Sequence, residues 1–414
     1  MPSRTYTNSR SRPASGVLKV RFSGAWAILV MLAFAGCDNS SGTGQNSKEQ
    51  SALIRPAEHG VFHVFAEENI QHAIDAAAAS SSSKVVRVHA GTYFPKQTSQ
   101  ALLHLTAVHD GVVLEADGDV VLSGTHSGPD GQTGTTDDVK VNHVVYFGDG
   151  ISSQTVLRGF RITGAQPGTI FDQSEPPLEP RSRQRELIPG MFFYLDGGAI
   201  KIFGRSSPRI MELVIDGNES GLCGGGVSIE HRGLHDQPVQ FTSCVFRNNR
   251  CPATGSAVDL LEGSLATFEN CLFVNNVGNY GMDRIQREYG LSYNAQHGSG
   301  ALTVFPDSRA EVNRCTFSGN WNGVDDHGRG SVYRNTIFWK NDASDGSRAG
   351  DPYEVDVMDA SGLRDCWIGG GVSDLRGTID RSQNRVAAPD PEFDEEFRPQ
   401  RQGLEDLGYR PLED

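Results

Sequence analysis

Gly323-Val324-Asp325-Asp326-His327-Gly328 sets two carboxylates and an imidazole on three consecutive residues. Such groups can hold a cation, or serve as acid and base on a glycosidic bond. The same residues also suit an Asx-rich tight turn that needs no ligand. Two other polar segments carry groups fit for sugar contacts. Segment 165–195 holds Pro176, Pro177 and Pro180, the basic run Arg181, Arg183 and Arg185, and then Met191-Phe192-Phe193-Tyr194. Segment 277–299 holds Tyr280, Arg284, Arg287, Tyr289, Tyr293 and His297. Tyrosine rings stack on sugars and guanidinium groups give charge-assisted hydrogen bonds, while a loop packed on itself would use the same residues structurally. A further loop, Asp130-Gly131 to Asp137-Asp138, bears carboxylates without the ligand order of an EF-hand, and calcium is the one cofactor it leaves open. The sequence has no phosphate-cradling glycine loop, no Cys/His metal pattern and no nucleophile elbow.

The elements that must position these groups are repeats. Cys244-Val-Phe246-Arg-Asn-Asn249, Cys271-Leu-Phe273-Val-Asn-Asn276 and Cys315-Thr-Phe317-Ser-Gly-Asn320 align, and Thr336-Ile-Phe338-Trp-Lys-Asn341 continues them with Thr in place of Cys. Leu213-Val-Ile215-Asp-Gly-Asn218 fits the frame, Phe160-Arg-Ile162 fits it loosely, and Cys366-Trp-Ile368 is a degraded last copy. Each alternates apolar and variable positions and then turns at Asn or Gly, the mark of a strand with one buried face. A second strand accompanies each copy: Gly198-Ala-Ile200-Lys-Ile202, Gly226-Val227-Ser-Ile229, Ser256-Ala-Val258-Asp-Leu260 and Gly300-Ala-Leu302-Thr-Val304. Such strands cannot bury an apolar face alone. Stacked in parallel about 4.8 Å apart, they share one core.

Stacking predicts residue columns. Phe246, Phe273, Phe317 and Phe338 should lie inside, and Asn249, Asn276, Asn320 and Asn341 should form a ladder at a turn, where Asn tolerates left-handed backbone and bonds along the stack. Cys244, Cys271 and Cys315 share an interior column and read as unpaired thiols acting as small hydrophobes. Cys223 and Cys251 lie off it, in turns, and are the pair expected to be bonded. The polar segments 165–195 and 277–299 and the Asp325–His327 run all interrupt the repeat at one turn, so they should wall a shared groove.

The N-terminus supplies an address. Arg4, Arg10, Arg12, Lys19 and Arg21 form a basic region, an apolar run from Ala25 to Ala35 follows, and Phe34-Ala35-Gly36 leads into Cys37. The run falls short of the roughly 20 residues that span a bilayer. Removal of residues 1–36 leaves 32 Lys+Arg against 51 Asp+Glu, a formal charge of −19. That sign opposes nucleic acid and acidic lipid surfaces. Residues 37–55 read as a flexible tether, 56–395 as one solenoid and 396–414 as a C-terminal tail, and a monomer is expected.

These features resemble known families. The N-terminus resembles a bacterial lipoprotein signal, which implies lipid on Cys37, a membrane contact through that anchor only, and an extracytoplasmic location in the periplasm or at the cell surface. The helix Ile70–Ala77, leading into Val85–Val88 and Gly91-Thr92-Tyr93, resembles the N-terminal cap of pectin-lyase-like proteins. The Gly-Gly-Ala-Ile (197–200) and Phe-x-x-Asn motifs are similar to the repeats of chlamydial polymorphic outer-membrane proteins. The resemblance implies an all-β fold, a single-stranded right-handed parallel β-helix with an N-terminal capping helix. Asp325-Asp326 and His327-Gly328 resemble the Asp-Asp and His-Gly elements of polygalacturonases, whose other elements are missing. Two function classes follow. One is a protein that binds a polysaccharide in a lateral groove and, as a lyase or glycoside hydrolase, cleaves it through Asp325, Asp326 and His327. The other is a non-catalytic adhesin or envelope scaffold. Cys37→Ser should move the protein from the membrane to the soluble fraction on ultracentrifugation; continued sedimentation with membranes would rule the anchor out.

Overall fold

The computed structural model describes residues 60–167, 187, 190–289, 299–343, 352–359, 362–369, 375–377 and 379–412, without the side chains of Met191, Met282, Glu288 and Tyr289. The chain divides into Met1–Gln50 and Ser51–Asp414, and all described residues belong to the second unit. Cys37 lies outside the described residues, as do Arg181, Arg183, Arg185, Tyr293 and His297. No helix among the described residues is long and apolar enough to cross a membrane.

The unit is all-β, with two long sheets of parallel strands and, among the described residues, three short α-helices and one 3-10 turn. From Ile200 to Gly369 each coil contributes three strands rather than the two that alternation alone marks. Val227–Glu230, Val239–Thr242 and Val245–Arg247 make one coil; Val258–Leu260, Leu265–Glu269 and Leu272–Val274 make the next. The first strand of each coil joins the second sheet, whose parallel file runs from Ser99–Leu105 through Val139–Phe147, Ile200–Phe203, Val227–Glu230, Val258–Leu260, Leu302–Val304, Val324–Asp326 and Val355–Val357 to Leu375–Gly377. The other two strands join the larger sheet. This order is compatible with a parallel β-helix solenoid.

A tight corner explains why the second strand of each coil escapes sequence reading. Second and third strands are separated by two residues, the first of them left-handed: Glu212, Ser243, Asn270, Arg314, Asn335 and Asp365 all have φ between 50° and 57°. None of them is Gly or Pro, and Glu212 and Arg314 are not turn-forming types at all, so the corner has no uniform residue signature. Left-handed backbone next to the Asn column likewise falls one residue early, at Asn248 and Asn275 (φ 56° each), and not on the ladder residues.

The columns themselves form as expected. Phe246, Phe273, Phe317 and Phe338 are fully buried and stacked at centroid distances of 4.7, 4.2 and 5.1 Å. The Asn ladder runs from Asn218 to Asn341, each Nδ2 donating to the next Oδ1 at 3.1, 3.0, 2.9 and 2.7 Å. Each amide also bonds backbone: Asn276 Nδ2 donates to Phe246 O at 2.9 Å and its Oδ1 accepts from Asn249 N at 3.0 Å. All six cysteines among the described residues are free and buried. Cys244, Cys271 and Cys315 donate to the carbonyl two residues back at 3.3–3.4 Å. Thr336, which continues their column, does the same at 2.8 Å. Cys223 and Cys251 are not bonded to each other. Both engage Thr254 instead: Cys251 Sγ donates to its carbonyl at 3.1 Å and Cys223 Sγ accepts from its hydroxyl at 3.3 Å.

Helix α1 (Ile70–Ala79) buries Ile70, Ala73, Ile74 and Ala77, the face its periodicity predicts. At the other end of the chain, Tyr409 packs on Leu272 and Val274 of the larger sheet. Phe317→Ala should cost about 3–5 kcal/mol in denaturant unfolding, as for any fully buried ring. Asn276→Ala should cost about 1–3 kcal/mol for each buried partner left unmade, so its midpoint should fall at least as far.

Candidate acid–base site on the outer face of the second sheet

Register assigns every residue of the second sheet a direction. Val258, Leu302, Val324 and Val355 pair in one column, and Leu260, Val304, Asp326 and Val357 in another. Apart from Asp326, these residues belong to the hydrophobic core. The residues between them point outward: Lys201, Ser228, Asp259, Thr303, Asp325, Asp356 and Arg376, paired in that order.

Strand alternation therefore separates the two adjacent carboxylates. Asp325 points out and Asp326 points in. Asp326 occupies an apolar column, where its Oδ2 accepts from Tyr333 Oη at 2.7 Å and its Oδ1 from Gly328 N at 2.7 Å. Burial pushes its carboxyl up, against the pull of these bonds. Tyr333 is fully buried in a column it shares with Phe268 and Val312. A tyrosine among apolar neighbours needs a partner for its hydroxyl, and that need was a readable sign of Asp326's role.

Asp325 and His327 do come together. His327 Nε2 lies 3.0 Å from Asp325 Oδ1, with the imidazole side chain 26% exposed and the carboxylate 2%. The bond to Asp325 raises the His327 pKa above 6.5, against burial and with help from the charges of Asp325, Asp356 and Asp326. Asp356 pairs with Asp325 on the next strand, and Arg376 with Asp356 beyond it. The Arg376 guanidinium also sits 4.4 Å from the centroid of the buried Tyr353 ring. The arrangement can hold a proton on an imidazole that a buried carboxylate orients.

Among the described residues, the helical parts of segments 165–195 and 277–299 meet on this face. Helix α2 (Met191–Leu195) and helix α3 (Met282–Tyr289) share one small apolar cluster, in which Phe192 and Leu195 join Leu222, Cys223, Ala253 and Ile285. They cover the outer column where the sequence suggested an open groove. Lys201, Ser228 and Asp259 are 0% exposed and Thr303 is 2%. Tyr194 is half-buried, its ring edge-on to Phe193 at 4.9 Å. Arg284 and Arg287 are exposed on α3, and Tyr289 is the last residue of that helix. In the loop from Asp130 to Asp138 the carboxylates serve their own backbone: Asp138 Oδ2 accepts from Gly134 N at 2.6 Å and Asp130 Oδ1 from Gln132 N at 2.8 Å. A cleft of about 390 Å³ lies elsewhere, between α1 and residues 92–104, and none of the predicted site residues line it.

Sequence reasoning missed Lys201, Asp259, Asp356 and Arg376. Their signal was positional, each being the middle residue of an alternating strand, but an outward charge is ordinary until something covers it. Comparison with protein-family models, with curated proteins and with solved structures gives no match.

The raised pKa fixes a sign. Protonated His327 stabilises the fold fully below its unfolded value, near 6.5, and that contribution disappears as pH rises through the higher folded value. His327→Gln should thus be destabilising at about pH 5 and close to neutral at about pH 9. An NMR titration should place the wild-type imidazole above 6.5 and move it down in Asp325→Asn.

Proposed function

We propose that this protein is a right-handed parallel β-helix with a helical N-terminal cap, lipid-anchored through Cys37 outside the cytoplasm, which binds a polysaccharide on the outer face of its second sheet. Right-handedness follows from the strong preference of parallel crossover connections. The cap is α1, whose apolar face lies against the first strands.

One observation carries the functional reading. Asp325 stands in an outward column, and its partner His327 reaches the surface. A carboxylate-oriented imidazole whose pKa lies above 6.5 is a proton donor near neutral pH. Beside a glycan it can hydrogen-bond a sugar oxygen or protonate a leaving one. Asp356 and Arg376 extend the polar row by two strands. A second reading, a non-catalytic adhesin or scaffold, is favoured by the closure of Lys201, Ser228 and Asp259, which denies a polymer the middle of the column.

The purified chain should be titrated with a panel of acidic and neutral polysaccharides, with and without calcium. Binding that His327→Ala weakens at least about tenfold, or roughly 1.4 kcal/mol, supports the reading. New chain ends released only by proteins that retain His327 identify a catalyst, and binding without them identifies the adhesin. Binding unchanged in His327→Ala and Asp325→Asn would move the site elsewhere.

A further inference from the structure

A separate cluster lies beneath α2 and α3. A carboxylate oxygen of Asp196, one of Asp259 and the Sγ of Cys223 all lie within 4.8 Å of one another, and all three residues are buried. They arrive from three places in the chain. Asp196 caps the C-terminus of α2, its amide donating to Phe192 O at 3.2 Å. Cys223 sits in the turn before Val227–Glu230 and gives its amide to Asp196 Oδ1 at 2.9 Å. Asp259 is the outward residue of Val258–Leu260, one coil further on.

The hydrogen bonds among these groups do not close. Thr254 Oγ1 lies 3.3 Å from Cys223 Sγ and 3.0 Å from Asp259 Oδ1, so one relay through its hydroxyl serves the thiol and one oxygen of Asp259, leaving the second oxygens of both carboxylates. Asp196 Oδ2 and Asp259 Oδ2 have no hydrogen-bond partner, although both residues are 0% exposed. Lys201 is the cation whose field reaches both carboxylates. Its ammonium is already engaged by Phe192 O at 2.9 Å, Ser228 Oγ at 3.1 Å and Glu230 Oε2 at 2.8 Å. A buried carboxylate oxygen without a donor carries a large desolvation cost. Burial pushes Asp196 up to about 8, and it holds Asp259 and Cys223 well above their ordinary ranges, with the neighbouring carboxylates adding to both.

We propose that Asp196, Cys223 and Asp259 bind one divalent transition-metal ion of the zinc type. The donor set selects the ion: a thiolate disfavours calcium and magnesium, while one sulfur with carboxylate oxygens suits zinc or cobalt. Three protein ligands leave a tetrahedral ion one further position, and the Cys251 thiol stands nearby, in the field of Asp259 and Asp196. Binding replaces the protons on these groups and releases them to solvent. The ion would tie helix α2, through its C-cap Asp196, to two successive coils. This inference does not rest on the polysaccharide reading.

Because the cluster is sealed, the test loads metal during folding. The purified full chain is refolded with cobalt(II) alone, and the bound metal is counted. The expected result is a single cobalt per chain, a thiolate-to-cobalt charge-transfer band, and X-ray absorption showing sulfur and oxygen ligands. Cys223→Ser should abolish the band, and Asp259→Asn should weaken binding by more than the roughly 10–100-fold that loss of an outer partner costs. Cys271→Ser, in the apolar thiol column, should keep the band. Circular dichroism separates loss of metal from loss of fold, and the absorption measurement needs no variant. A folded wild-type chain with no bound cobalt, or a band that survives Cys223→Ser, overturns the proposal.

Discussion

Everything in this structure depends on each coil returning to the same register as the one before. Parallel strands offer slanted bonds and no hairpin to pin them, so a slip of one residue would turn every interior side chain outward. The Asn ladder opposes that slip. Asn276 bonds Asn249 behind it, Asn320 ahead of it and the carbonyl of Phe246, and all these partners are buried. Displacing one coil leaves several buried amide groups unmade at about 1–3 kcal/mol each. The Phe stack beside it supplies burial but little direction. Stacked rings tolerate offset, whereas an amide with four fixed partners does not. The ladder defines the register and the rings fill it.

That division explains what was legible. A constraint acting identically on every coil leaves the same residue type at the same step, so the Phe, Asn and Cys columns could be read from sequence alone. The Thr336 substitution even preserves the Cys hydrogen bond to the carbonyl two residues back. The corner between second and third strands is also repeated, yet Glu212, Ser243, Asn270 and Arg314 share only a backbone angle. Geometry conserved without side-chain identity is silent in a single sequence. The second strand was missed for that reason.

The candidate site shows a different limit. Asp325, Asp326 and His327 were singled out as a run, but in a strand neighbours in sequence are opposites in space. Alternation pairs Asp326 with Tyr333 inside and Asp325 with His327 outside. The wider polar column could not be valued from sequence at all. Lys201 and Asp259 look like ordinary solvated charges until α2, α3 and the turns at Cys223 and Thr254 close over them.

Burial of that column couples the insertions to the solenoid. Water exclusion strengthens each charge interaction on this face and penalises each unmet one. Lys201 illustrates the first effect, since its ammonium joins α2 at Phe192 O to the coil at Ser228 and Glu230. Asp196 illustrates the second, since one oxygen is satisfied by Cys223 N and the other is not. A cover held only by Phe192, Leu195 and Ile285 would be a small apolar contact, free to slide over a flat sheet. Directional bonds from fixed positions in the column remove that freedom. The outer charges therefore set where the helices α2 and α3 sit, while further along the same row Asp325 holds His327 at the surface. The groups that give this face its chemistry are also those that fix its shape.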